Sequence, residues 1–224
     1  MPNIVFMLRA FVMISLLSIL SVAQAVAADE KPIIIVKDTI TRIMKTLADD
    51  SLSTAAARKQ VGQIASERIN YYEMSKRILA VNWSKADREQ QKRFIELFKE
   101  ILSNTYWARL RKYRNEEVIY FTSTIEREIY ATVDTVIQSK VVEIPITYRL
   151  KYTKGKWLAY DFLVENNSLI AAYRLSYAEI VKNHGMAQLL KEMEDQAESS
   201  AWSDQPEAPA PLPGTSLDRQ PRVG

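Results

Sequence analysis

The sequence predicts an α+β fold: an antiparallel sheet of about four strands, with one apolar face covered by helices. Three observations carry this. Val142, Ile144, Ile146, Tyr148, Leu150 and Tyr152 alternate with Glu143, Pro145, Thr147, Arg149 and Lys151, the period-two signature of a strand with one buried and one wet face. Upstream, apolar residues recur at helical spacing over some eighty residues, and after Ser168 that spacing returns. A one-sided sheet flanked by amphipathic helices buries its apolar surface only when the helices cover the greasy face.

The elements follow in order. Pro32 suits the first turn of a helix, and Ile33, Val36, Ile40, Ile43 and Leu47 continue it on one face. A second helical stretch is expected from Thr54 to Leu79, with Val61, Ile64, Tyr72 and Leu79 apolar, and Trp83 closing it. Ser84 is then expected to cap a third helix, with Asp87 reaching back toward it. Along that helix Phe94, Phe98, Ile101, Thr105 and Ala108 form a stripe that Leu97, Tyr106, Leu110 and Tyr113 widen, broader than a coiled-coil seam needs. Strands are expected over 118–124, 129–137, 142–152 and 157–164. Pro145 lacks an N–H and argues for an edge strand or a bulge. Lys154-Gly155-Lys156 is read as a hairpin turn. By alternation Ile146 faces the greasy side and Thr147 the wet side. The same alternation sets Asp161 beside Trp157, with Leu158, Tyr160, Phe162 and Val164 on the other face. Leu169, Ile170, Tyr173, Tyr177, Ile180 and Val181 form the next helical stripe. Gly185 breaks it, and a short last helix carries Met186, Leu189, Leu190 and Met193.

The two ends read differently from this body. Residues 1–27 resemble a cleavable export signal: Arg9, an apolar run from Ala10 to Val22, then the small-x-small sites Ala23-Gln24-Ala25 and Ala25-Val26-Ala27. That run is too short and serine-rich for a membrane span. Residues 199–224 hold five of the eight prolines and no apolar period, so they are read as a disordered tail. One domain of about 170 residues, 28–198, remains, enough for a sizeable core. The chain has 30 basic and 27 acidic residues, net +3. This is a poor electrostatic footprint for nucleic acid.

Several chemistries lack their residues. No cysteine is present, which excludes disulfides and thiolate metal sites. The single histidine, His184, precedes Gly185 at an expected helix end and suits capping. Five glycines form no phosphate loop. No cofactor, metal or catalytic residue is assigned. Asp161, set among aromatics, is the one carboxylate that invites a general-base reading. A bond to a neighbouring loop or turn is the plainer reading.

Specific stretches resemble a known family. Leu79-Ala80-Val81-Asn82-Trp83, the sheet segments Ile144–Leu150 and Gly155–Asp161, Val164-Glu165-Asn166-Asn167-Ser168-Leu169 and Tyr173-Arg174 look like the MlaC family of toluene-tolerance auxiliary proteins. The family pattern is Leu-Gly-x-x-Trp, Trp-x-x-Tyr-Asp, Glu-Gly-Val-Ser and Tyr-Arg. Ala80 stands where glycine is expected, and Asn166-Asn167 replaces Gly-Val. The resemblance implies a curved antiparallel sheet wrapped by helices around an apolar cavity. It also implies a non-enzymatic periplasmic shuttle for phospholipid. Its partners would be an outer-membrane lipoprotein complex and the substrate-binding ring of an inner-membrane ABC transporter. The family also has a hopanoid-associated branch, so an isoprenoid cargo is a second reading; a small-molecule enzyme using Asp161 is a third. On the family reading the lipid-contacting wall comprises Phe98, Tyr106, Leu110, Val133, Val142, Ile144, Ile146, Tyr148, Tyr160, Phe162, Val164 and Tyr173.

Overall fold

A computed structural model describes residues 31–112, 114, 116–139 and 142–201. The expected export signal, the tail beyond residue 201 and Tyr113 lie outside the described residues. The helices are α1 (Pro32–Ala48), α2 (Thr54–Arg68), α3 (Tyr71–Leu79), α4 (Arg88–Lys112) and α5 (Leu169–Ala201). The strands are β1 (Glu117–Glu126), β2 (Tyr130–Gln138), β3 (Glu143–Thr153), β4 (Lys156–Val164) and β5 (Asn167–Ser168). The sheet runs β1-β2-β3-β4-β5, antiparallel throughout. The chain is α+β with a curved, unclosed sheet. The short fifth strand, only two residues long, has no hydrophobic period to announce it.

Several local expectations are corrected. The stretch 54–79 is two helices. Ile69 is extended (φ −104°, ψ 130°) and bridges to Ala159, while the Asn70 N–H donates to the Ala159 carbonyl at 2.8 Å. Asn70 then caps α3 by accepting from the Glu73 N–H, so the break ties the helices to β4. Helix α4 starts later than expected, because its cap is Asp87. Asp87 Oδ1 accepts from the Gln90 N–H, and Gln90 Oε1 accepts from the Asp87 N–H, a capping box set three residues on. Pro145 lies on an internal strand. Its carbonyl accepts from the Glu165 N–H, so its missing donor also points at β4, where β4 is already turning away. The ladder therefore loses little there.

The two-residue turns use left-handed backbone: Lys154 and Gly155 (φ 51°, 79°), then Glu165 and Asn166 (φ 51°, 66°). Their twist matches that of the flanking strands. Gly185 (φ 85°, ψ 174°) splits α5 into two helical segments. The first runs antiparallel to α4, with Phe94 on Tyr177 and Phe98 on Tyr173. The second turns back along α4, through Arg93–Glu194 and the Asn104–Ala197 hydrogen bond.

The buried apolar residues form three separate clusters. One joins α3, α4 and α5 around Met74, Ile78, Phe94, Phe98 and Leu189. A second joins α1 to the sheet through Ile35, Val36, Ala131, Val133, Leu150 and Trp157. The third joins α1, α2 and α4 through Leu47, Ala57, Val61 and Trp107. A domain this size normally has one contiguous core. Here the three clusters surround a void.

Candidate functional site

That void is a cavity of about 920 Å³ between the sheet and helices α1, α2 and α4. Its floor is one face of the sheet: Ile137, Ile146, Tyr148, Leu150, Ala159, Phe162 and Val164. Cross-strand register assembles it, since Ile146 lies opposite Val164, Tyr148 opposite Phe162 and Leu150 opposite Ala159. A bulge makes this possible. Between Arg149/Leu150 and their partners the register slips by one, leaving Tyr160 as the extra residue. The slip reverses the parity of β4. Ala159 therefore shares the cavity face with Phe162 and Val164, while Asp161 keeps the opposite face that alternation gives it relative to Phe162. Strict alternation, which sets Tyr160 with Phe162 and Asp161 with Trp157, is overturned by that one residue.

The displaced residues do structural work on the outer face. Tyr160 lies under the Arg77 guanidinium (4.2 Å to the ring centroid) and edge-on to Tyr130. Asp161 is 3% exposed. It accepts from the N–H groups of Phe162 and Ile170 and from the Ser168 hydroxyl at 2.7 Å, with Arg149 at 3.4 Å. It thereby satisfies the first turn of α5, where a carboxylate also suits the helix dipole. Arg174 Nε donates to the Arg77 carbonyl. Thr147 does face away from the cavity, but its hydroxyl donates to Asp134 at 2.6 Å, so that face is an ordered polar surface.

Of the residues expected to form the wall, Tyr106, Leu110, Ile146, Tyr148, Phe162 and Val164 line the cavity. The others lie elsewhere. Phe98 and Tyr173 pack edge-to-face in the helical cluster. Val133 is fully buried under α1. Ile144 is buried opposite Ile137. Val142 precedes β3 and is 43% exposed, and Tyr160 is on the outer face. Beyond Tyr106 and Leu110 the expectations omit the helical roof, which comes from Ile40, Ile43 and Met44 on α1, Val61, Gly62, Ala65 and Ser66 on α2, and Leu102 and Trp107 on α4. The small residues Gly62, Ala65 and Ser66 share one face of α2 and leave room for the cavity beside it.

The interior is a low-dielectric place. Burial pushes the phenols of Tyr106 and Tyr148 well above their ordinary range, Thr135 partly offsetting this for Tyr148. Burial pushes Tyr71 up to about 12, against a smaller opposing effect of Ser66. All three line the cavity, so an ionised group inside it is strongly disfavoured. The charged lining residues, Arg58, Lys59, Glu67, Arg68 and Lys99, belong to the helices, and the sheet contributes none.

No curated protein matches the chain by sequence. Seven solved chains match it in fold. One is the phospholipid-binding protein from Ralstonia solanacearum, solved in complex with a phospholipid. It is 21% identical with a TM-score of 0.69, over 75% of this chain and 97% of that one. The family model for the MlaC protein matches residues 37–195, which runs from within α1 to within α5 and takes in every described strand, and the chain belongs to the MlaC family.

Proposed function

We propose that this protein is a carrier that encloses the acyl chains of a phospholipid. We propose further that it moves them through the periplasm between an outer-membrane lipoprotein complex and the substrate-binding ring of an inner-membrane ABC transporter. The apolar cavity carries this reading. At about 30 Å³ per water-sized group, 920 Å³ holds about thirty such groups, close to the methylenes of two ordinary acyl chains. Thirty methylenes are worth about 24 kcal/mol of transfer free energy. The membrane offers the same, so a carrier must match that value. Leaving four methylenes wet would cost about 3 kcal/mol, roughly a hundredfold in partitioning. A deep cavity meets this requirement where a shallow groove does not.

Family membership and the phospholipid-bound Ralstonia protein support the cargo class. The place of Asp161 supports a non-enzymatic role, because it is held by four groups on the face away from the cavity. Export rests on the leader-like residues 1–27, and no described helix is long and apolar enough to cross a membrane. The test is mass spectrometry of lipid extracted from the protein isolated from periplasmic and membrane fractions. Stoichiometric phospholipid in the periplasmic protein is the expected result. A hopanoid in its place moves the cargo to isoprenoids. Protein free of lipid, and still free after incubation with either, defeats the carrier reading.

A further inference from the structure

The exposed part of the cavity lining lies on α2 and α4 and marks its mouth. Among the described lining residues the exposed ones are Lys59, Gln63 and Glu67 on α2 and Lys99 and Ser103 on α4. Half-buried Arg58 stands beside them, fixed by its bond to Asn104. The Lys99 ammonium lies 5.7 Å from the ring centroid of Tyr71, itself a lining residue. Among the described residues no carboxylate lies within ion-pair distance of Arg58, Lys59 or Lys99. The only carboxylate among the described lining residues, Glu67, is already engaged by Arg42 at 2.9 Å. The mouth therefore offers cations with open valence and a carboxylate that is taken.

We infer that this mouth is a collar for net-anionic headgroups: it favours a glycerophospholipid whose phosphodiester carries no amine over a zwitterionic one. The inference rests on the phospholipid reading and adds the headgroup class. A phosphodiester at the mouth meets cationic donors that form charge-assisted hydrogen bonds. A zwitterionic headgroup brings an ammonium as well, which meets like charge at Arg58, Lys59 and Lys99 and, among the described residues, a single lining carboxylate, Glu67, that Arg42 already engages. The lysines are exposed and screened, so the collar sorts headgroups, while the acyl chains in the cavity supply most of the affinity. The sheet floor is apolar, and the charged lining residues lie on the helices.

The test uses the chain as isolated from cells, stripped of lipid. It is incubated with vesicles of equal phosphatidylglycerol and phosphatidylcholine, and bound lipid is quantified by mass spectrometry. We expect phosphatidylglycerol to be enriched about tenfold, at roughly a few-fold per lysine, with the enrichment shrinking as salt rises. In the double variant Lys59→Gln/Lys99→Gln the enrichment should fall toward unity. Equal loading by the wild type, or enrichment that survives the double variant, overturns the collar and leaves the carrier reading standing. Loading of neither lipid removes both readings. Inorganic phosphate, added at constant ionic strength, separates the last source. If phosphate raises the melting temperature of the lipid-free protein as much as phosphatidylglycerol vesicles do, the mouth is a free-phosphate site and the headgroup inference is wrong.

Discussion

Gly62 offers a perturbation whose two effects have opposite signs. It lies in the interior of α2 and lines the cavity, and a Cβ added there meets nothing within 4 Å. Glycine inside a helix costs about 0.8 kcal/mol relative to a good helix former. Gly62→Leu should therefore stabilise the lipid-free protein by about that amount, a rise of about 2–3 °C in a domain of this size. The same leucine places four carbons in the cavity. If they displace four methylenes of cargo at about 0.8 kcal/mol each, lipid affinity falls by about 3 kcal/mol, close to a hundredfold. The assays are thermal melting of lipid-free protein and lipid retained after dilution from vesicles. A general folding defect cannot raise melting temperature while lowering retention. A fall in melting temperature would show that Gly62 fills a tight contact and that the void is overstated. A rise with unchanged retention would show that the cargo does not occupy the space beside α2, and would refute the cavity-filling argument.

Three further outcomes follow from the same structure. Ile146→Glu, on the cavity floor, should abolish co-purified lipid at a cost of several kcal/mol in binding yet leave the lipid-free fold standing, whereas Val133→Glu, fully buried one strand away, should unfold the protein; equal melting of the two variants would mark Ile146 as plain core. Ala80 has φ 49° and ψ −118° with its side chain exposed, so Ala80→Gly should relieve backbone strain and stabilise by about 1 kcal/mol net of glycine's entropic cost, read from denaturant midpoints; no change would place the strain elsewhere. Glu73 is opposed by burial, but Lys151 and Arg77 hold its pKa below the ordinary 4.5. Its contribution is therefore complete above that value and lost as pH falls through the lowered one, and Glu73→Gln should flatten the acid limb of the stability curve, an effect absent if acid unfolding runs through other carboxylates.

The repeating patterns were legible because burial at fixed spacing writes itself into composition. The helical stripes, the alternation of β3 and the greasy side of Ile146 and Tyr148 could all be read without coordinates. So could the resemblance of the 157–174 region, where Asp161, Ser168 and Arg174 are held by hydrogen bonds and Tyr160 by ring contacts with Arg77 and Tyr130. What the sequence could not decide is where one residue too many enters a strand. The bulge at Tyr160 reverses everything before it relative to Phe162, and no side-chain preference announces it, because both registers put aromatics against apolar surface. Nor could periodicity separate a packed core from a hollow one: Phe98 and Tyr106 lie on neighbouring faces of α4, and both read as buried apolar stripe. Only the three-dimensional arrangement, in which three separate cores stand apart and the small side chains of α2 leave the gap between them open, places Phe98 in packed core and Tyr106 on a cavity wall. The sequence holds the chemistry of each face, and tertiary packing sets the distance between faces.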